Sequence, residues 1–202
     1  MIVIVDYQMG NPGSIRNMLK KFGVPSLISS GLADIESAAK LILPGVGSFD
    51  RAIQNLHDRG MFEVLNRKVL AGQTPILGIC LGMQLMTRRS EEGVLNGFGW
   101  IDAETVRFRD LAPGMKVPHM GWDRIVPARC HPILEGLGEN PRFYFVHSYY
   151  VRCASRDECL ATTAYGAEFD SAIVRNHVIG VQFHPEKSHK FGMRLLKNFA
   201  DL

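Results

Sequence analysis

The sequence predicts an α/β fold: a central, mostly parallel sheet flanked by helices, with antiparallel strands in the C-terminal half. Three observations carry this. Short apolar runs recur in the first half, and helix-period segments follow them. Gly and Pro punctuate the joins. In the second half, β-type segments succeed one another with no helix between.

Taken in order, Ile2-Val3-Ile4-Val5 is a continuous apolar run, the mark of a strand buried on both faces. Asn11-Pro12 supplies a helix cap and a first-turn proline. Ile15, Met18, Leu19 and Phe22 then recur at i, i+3, i+4 and i+7, and Gly23 stops the helix. Leu27-Ile28 marks a second strand. Leu41-Ile42-Leu43 marks a third, ending at Pro44. Helical patterns cover 49–57 and 61–70, with Gly72 closing the second. Residues 75–79 form another buried strand, and a helix starts just after Cys80. In the second half, 100–108, 122–126, 142–146, 149–152, 160–165, 171–175 and 178–183 read as β segments. Asn176-His177 is a tight hairpin turn between the last two. A final helix carries Phe191, Leu195, Leu196 and Phe199 on one face. Residues 1–202 read as a single domain.

Composition narrows the function. With 46% hydrophobic and 21% charged residues, the 202-residue chain is globular rather than disordered. Its 23 basic and 20 acidic residues are well mixed, which argues against a dedicated nucleic-acid face. The four cysteines form no C-x-x-C and no zinc-ligand spacing, so neither metal nor cofactor is expected. The apolar N-terminal run is too short for a signal peptide or a membrane span, and a cytoplasmic protein with reduced thiols is expected.

The strongest chemical feature is Gly78-Ile79-Cys80-Leu81-Gly82, between a strand and a helix. This is a nucleophile-elbow pattern with Cys at the reactive position. A strand-to-helix reversal needs small neighbours. The helix N-terminus favours the thiolate, and the Leu81 N–H points where an oxyanion forms. A buried cysteine between two glycines is the plain alternative. A Cys nucleophile needs a base, and His184 follows the 178–183 strand directly. Glu186, two residues on, is suited to orienting the imidazole; a turn histidine before Pro185 is the plain alternative. Pro44-Gly45-Val46-Gly47-Ser48 lets the backbone approach a ligand and turn its N–H groups inward, or is an ordinary strand exit.

Together, Pro44-Gly45-Val46-Gly47, Gly78 to Gln84 and Gln182-Phe183-His184-Pro185-Glu186-Lys187 resemble the class I (triad-type) glutamine amidotransferases. Within them, the chain is similar to the glutaminase subunits of imidazole glycerol phosphate synthases. Asp6-Tyr7, Gly10-Asn11, Ser90-Glu91-Glu92-Gly93, Pro118-His119-Met120-Gly121-Trp122 and Tyr144 through Tyr149 extend the likeness over nearly the whole chain. Gln8 departs from it, standing where the family usually has Gly.

The resemblance implies that Cys80 attacks the glutamine side-chain amide, with His184 as base and Glu186 holding His184. It implies an oxyanion hole from Leu81 and the Gly45–Val46 segment. Gly47, Gln84, Glu92, His147, Ser148 and Tyr149 match glutamine-binding positions. The partner implied is the (β/α)8-barrel cyclase subunit of imidazole glycerol phosphate synthase, or a cyclase-like paralogue, and ammonia would pass across the interface. Met120, Trp122, Tyr144 and Lys187 match positions near that interface; core packing is the alternative for Met120 and Trp122. The pathway implied is histidine biosynthesis, with amidino-sugar formation for surface polysaccharide as the second reading. An α/β-hydrolase esterase is disfavoured, because its acid precedes its histidine in chain order. Intact Cys80, His184 and Glu186 argue against a non-catalytic binding module.

Overall fold

The computed structural model describes residues 1–109 and 111–202. The first half builds a parallel sheet with helical crossovers. Strand β1 (Ile2–Val5) leads to helix α1 (Pro12–Lys21), β2 (Ser26–Ser29), α2 (Leu32–Ser37) and β3 (Lys40–Gly45). Helices α3 (Phe49–Asp58) and α4 (Met61–Leu70) return the chain to β4 (Ile76–Cys80), and α5 (Leu81–Leu85) follows at once. Asn11 caps α1 by accepting from the Ser14 N–H at 3.4 Å, Pro12 occupies the first turn, and Gly23 adopts φ 69° just past the end.

The second half is mostly antiparallel. It comprises β5 (Arg89–Ser90), β6 (Ala103–Arg107), β7 (His119–Arg124), β8 (Val126–Pro127), β9 (Arg142–His147), β10 (Tyr149–Cys153), β11 (Cys159–Tyr165), β12 (Ala167–Arg175) and β13 (Val178–Val181). Helix α6 (His189–Asp201) ends it. The main sheet runs β2-β1-β3-β4-β13-β12-β10-β6-β5, with β11 and β8 branching from β12. Strand β13 enters parallel to β4 after its hairpin with β12, so late chain lies beside early chain. Strands β7 and β9 pair only with each other, as a separate antiparallel ribbon.

Side-chain alternation explains the apolar runs. Val3, Val5, Leu41 and Leu43 face one cluster under α2 to α5; Ile2, Ile4 and Ile42 face the other, with α1, α6 and β9. Each such burial contributes about 1.5–3 kcal/mol before the entropy of ordering is subtracted.

Several boundaries differ from the sequence expectation. The segment expected as strand from Trp100 is paired only from Ala103. Trp100 instead buries its ring and donates from Nε1 to Asn66 Oδ1 at 2.7 Å. The 122–126 segment belongs to β7, which begins earlier at His119, and to β8, with buried Ile125 between. Strand β3 continues through Pro44 to Gly45, and β13 stops at Val181. Helix α2 was not expected; it has six residues and no side-chain cap, so little in its sequence announces it. Gln8 adopts φ 66°, a left-handed backbone that favours glycine, which accounts physically for the glycine that the resemblance leads one to expect there.

Candidate active site

Three neighbouring parallel strands bring the expected parts together at one edge. Gly45, the last residue of β3, is in register with Cys80, the last of β4. On the other side Val181 is in register with Ile79, which carries the chain past Gln182 and Phe183 to His184. Cys80 is buried and turns through φ 54°, ψ −109°, a conformation that costs a non-glycine residue about 1–3 kcal/mol. The flanking glycines permit the turn. A Cβ on Gly82 would overlap the Leu43 carbonyl oxygen and lie 2.8 Å from its carbon; one on Gly78 would lie 2.7 Å from the Gly82 carbonyl carbon.

His184 is held from three sides. Its N–H donates to Tyr144 O at 2.9 Å and its carbonyl accepts from Ser188 Oγ at 2.6 Å. Its Nδ1 donates to Glu186 Oε1 at 2.7 Å. That leaves Nε2 buried and without a hydrogen-bond partner among the described residues. Burial pulls the imidazole down, but the nearby Cys80 sulfur and the hydrogen-bonded Glu186 carboxylate outweigh it and raise the pKa to about 9. The ring is therefore cationic at neutral pH and places a positive charge beside the Cys80 sulfur. Gln182 Nε2 also donates to Cys80 Sγ, at 3.7 Å.

Outside Cys80 lies a cavity of ≈ 330 Å³, lined by Val46, Gly47, Cys80, Leu81, Gln84, Glu92, Pro118, Val146, His147, Ser148 and Tyr149. All six expected substrate-binding residues are thus on its wall, whereas Gly45, His184 and Glu186 do not line it. Glu92 Oε2 accepts from the Phe49 N–H at 2.9 Å, and half-burial raises its carboxyl pKa. Gln84 Nε2 donates to Tyr149 O and to Gln182 Oε1, each at 3.2 Å. His147 lines the wall with both ring nitrogens engaged, to Tyr149 O and to His119, so the ring keeps no free nitrogen for a ligand.

The four expected interface residues form a surface patch on the β7–β9 ribbon and the adjoining turn. Met120 is 61% exposed and Trp122 36%, which settles them as surface rather than core. Trp122 sits opposite Tyr144 in the ribbon, and Lys187 Nζ lies 5.6 Å from the Tyr144 ring centre.

The family profile of glutamine amidotransferase class-I matches residues 3–202. The chain belongs to the class-I glutamine amidotransferase family. A Methanococcus maripaludis protein named imidazole glycerol phosphate synthase subunit HisH 2 is 53% identical over 98% of both chains. One of the same name from Pseudomonas aeruginosa is 50% identical over the full length of both. A Bdellovibrio bacteriovorus relative, named imidazole glycerol phosphate synthase subunit HisH, is 44% identical, again end to end. Among solved structures, one described as a glutamine amidotransferase aligns over 100% of both chains with a TM-score of 0.75 at 20% identity. PurLQS from Thermotoga maritima aligns with a TM-score of 0.73 at 16% identity, over 99% of this chain and 97% of that one. At these identities the two structures establish the amidotransferase fold. No helix among the described residues is long and apolar enough to cross a membrane.

Sequence reasoning assigned no role to Gln182, Tyr7, Pro118 or Val146. Tyr7 is fully buried, donates from its hydroxyl to Pro44 O at 2.7 Å and is kept neutral by burial and by nearby Cys80. It braces the segment that faces the nucleophile. The Asp6-Tyr7 and Gln182 signals lay inside recognised motifs, but only the fold shows what they touch.

Proposed function

We propose that this chain is a glutaminase subunit that hydrolyses L-glutamine to glutamate and ammonia and passes the ammonia to a (β/α)8-barrel cyclase partner. The pathway read from it is imidazole glycerol phosphate formation in histidine biosynthesis. The carrying observation is the strained Cys80 elbow beside the unpartnered Nε2 of a cationic His184 anchored by Glu186.

In this reading the Cys80 sulfur attacks the side-chain amide carbon. The Leu81 N–H and a backbone N–H from the Gly45–Val46 segment hold the oxyanion. His184 donates its Nε2 proton to the departing ammonia and then takes one from the water that cleaves the thioester. Glu186 fixes the imidazole through Nδ1. Gln84, Glu92 and the Gly47 and His147–Tyr149 backbones meet the charged end of glutamine. Met120, Trp122, Tyr144 and Lys187 contact the partner, in the cytoplasm, and residues 1–202 act as one domain.

A second reading has a specific support. The two relatives at 50–53% identity both carry the number 2 in their names, as second copies do. A paralogous glutaminase supplying ammonia for amidino-sugar formation keeps every residue role above and changes only the partner.

The test is brief exposure to a glutamine-mimicking electrophile followed by mass spectrometry. Cys80 is expected to label fastest. Faster labelling of Cys130, Cys153 or Cys159 sinks the nucleophile assignment. His184→Ala, still folded, is expected to lose glutamine hydrolysis in the presence of the partner.

A further inference from the structure

Behind the cavity wall lies a hydrogen-bonded string that the reaction above does not use. It runs Asp123 Oδ2 to His119 Nε2 at 2.7 Å, His119 Nδ1 to His147 Nε2 at 3.0 Å, and His147 Nδ1 to Tyr149 O at 2.7 Å. Both ends only accept: one is a carboxylate, the other a carbonyl. Three hydrogen bonds between two acceptors need three protons, and two neutral imidazoles supply two. The string is complete only when the histidine pair holds one extra proton.

Its far end matters to the pocket. The Tyr149 carbonyl that accepts from His147 also accepts from Gln84 Nε2, at 3.2 Å. Gln84 in turn meets Gln182, and Gln182 donates to Cys80 Sγ. We propose that His119 and Asp123 are positioning residues of the glutamine pocket, which set the Tyr149 carbonyl and Gln84 through His147 by means of one shared proton. The proposal rests on glutamine being the substrate.

The surroundings decide where the proton sits. His119 and His147 are buried against Phe108, Phe145, Phe169 and the Tyr165 ring, whose centre is 4.0 Å from that of His119. Burial pushes His147 down to about 3, the Tyr149 carbonyl opposes it, and the charges of His119 and His184 add to the lowering. The extra proton therefore resides on His119. Burial lowers that ring below its ordinary value too, while Asp123, 40% exposed on β7, works against the loss. Tyr165 is the titratable group from β11, and its hydroxyl is committed to Lys116 O. As pH rises through the lowered His119 value the third proton leaves. Two lone pairs, or a lone pair and a carboxylate, then face each other, and one contact opens.

Asp123→Asn separates this from mere packing. Its amide N–H donates to His119 Nε2, so two neutral rings complete the string at every pH. The experiment compares the chain with Asp123→Asn, Asp123→Ala and His119→Phe, each with its barrel partner, measuring KM for glutamine from pH 5.5 to 8.5. Glu92 is common to all, so ratios isolate the string. KM of the unaltered chain relative to Asp123→Asn is expected to rise about three- to tenfold, the worth of one hydrogen bond, as pH increases through the His119 titration that the ring spectra locate. Asp123→Ala and His119→Phe are expected to stay weak throughout. In parallel, histidine ring 15N shifts of the free full chain count protons without substrate. The 119–147 pair is expected to lose one proton with rising pH in the unaltered chain and none in Asp123→Asn. Equal KM profiles in the unaltered chain and Asp123→Asn, or identical ring titrations, overturn the inference. Failure of the unaltered complex to turn over glutamine at any pH overturns the proposed function, while the ring spectra still decide the proton count.

Discussion

Gly192→Ala tests whether helix α6 holds the base in place. Gly192 lies in the first turns of that helix and is buried against the turn that carries His184 and Glu186. An added Cβ would overlap the Pro185 carbonyl oxygen and lie 2.6 Å from its carbon and 2.9 Å from its Cα. Non-bonded carbons rest at about 3.5–4.0 Å, so helix and turn must part by about 1 Å. Alanine contributes roughly 1 kcal/mol of helix propensity over glycine, and overpacking costs about 1–3 kcal/mol, so the net stability loss is roughly 0–2 kcal/mol. The rate effect is larger, because a shift of about 1 Å in reacting groups costs on the order of 10²-fold. The assay is glutamate release by the partnered subunit, with a thermal melt beside it. Gly13→Ala is the control, since its methyl meets only Asn11 Oδ1 at 3.6 Å. A Gly192→Ala protein that melts higher and hydrolyses glutamine at the parental rate refutes the reasoning.

Other outcomes follow from the same site. His184 stays protonated below about 9, so turnover is expected to fall as pH rises through that value; Glu186→Gln removes a group that raises it and should move the alkaline limb to lower pH, read from rate–pH profiles. Asp50 accepts from the Val94 and Leu95 N–H groups at 3.0–3.1 Å and ties down the loop presenting Glu92, so Asp50→Ala is expected to raise KM for glutamine about tenfold and to lower kcat less. Glycines on both sides of Val46 let the Gly45–Val46 peptide take more than one orientation at little cost, and we predict that the partner selects the one that presents the oxyanion donor. Adding the cognate barrel with its ligand should therefore raise glutamate release by at least about 10²-fold, and full activity from the isolated subunit would reject the coupling.

The parallel half of the fold was legible because burial on both faces writes continuous apolar runs, and Asn11, Pro12 and Gly23 mark a helix at both ends. The positions of Cys80, His184 and Glu186 at strand exits were legible for the same reason. The β7–β9 ribbon was not: 142–146 and 122–126 read as strands like any others, and nothing local says that they pair only with each other. Trp100 misled because an aromatic beside alternating residues reads as strand, whereas its indole is drawn to Asn66. His147 was legible as a wall residue but not in its ring contacts, since His119 lies far from it in sequence and meets it only through ribbon register.

The neighbouring placement of β4 and β13 has a consequence for divergence. Nucleophile and base leave adjacent strands, yet everything from β5 to β12 is threaded between them in the chain. That long excursion supplies most of the cavity wall and the exposed ribbon, while the reacting groups hang from the sheet's centre. Apart from Tyr144 on β9, which holds the His184 N–H, and β12, which pairs with β13, the loops and strands inside it can lengthen, shrink or change face without altering the spacing of Cys80 and His184. The architecture separates a slow-changing chemical frame from a freely remodelled docking and specificity half, so one ammonia-releasing core can be refitted to new acceptor enzymes by rewriting only what lies between.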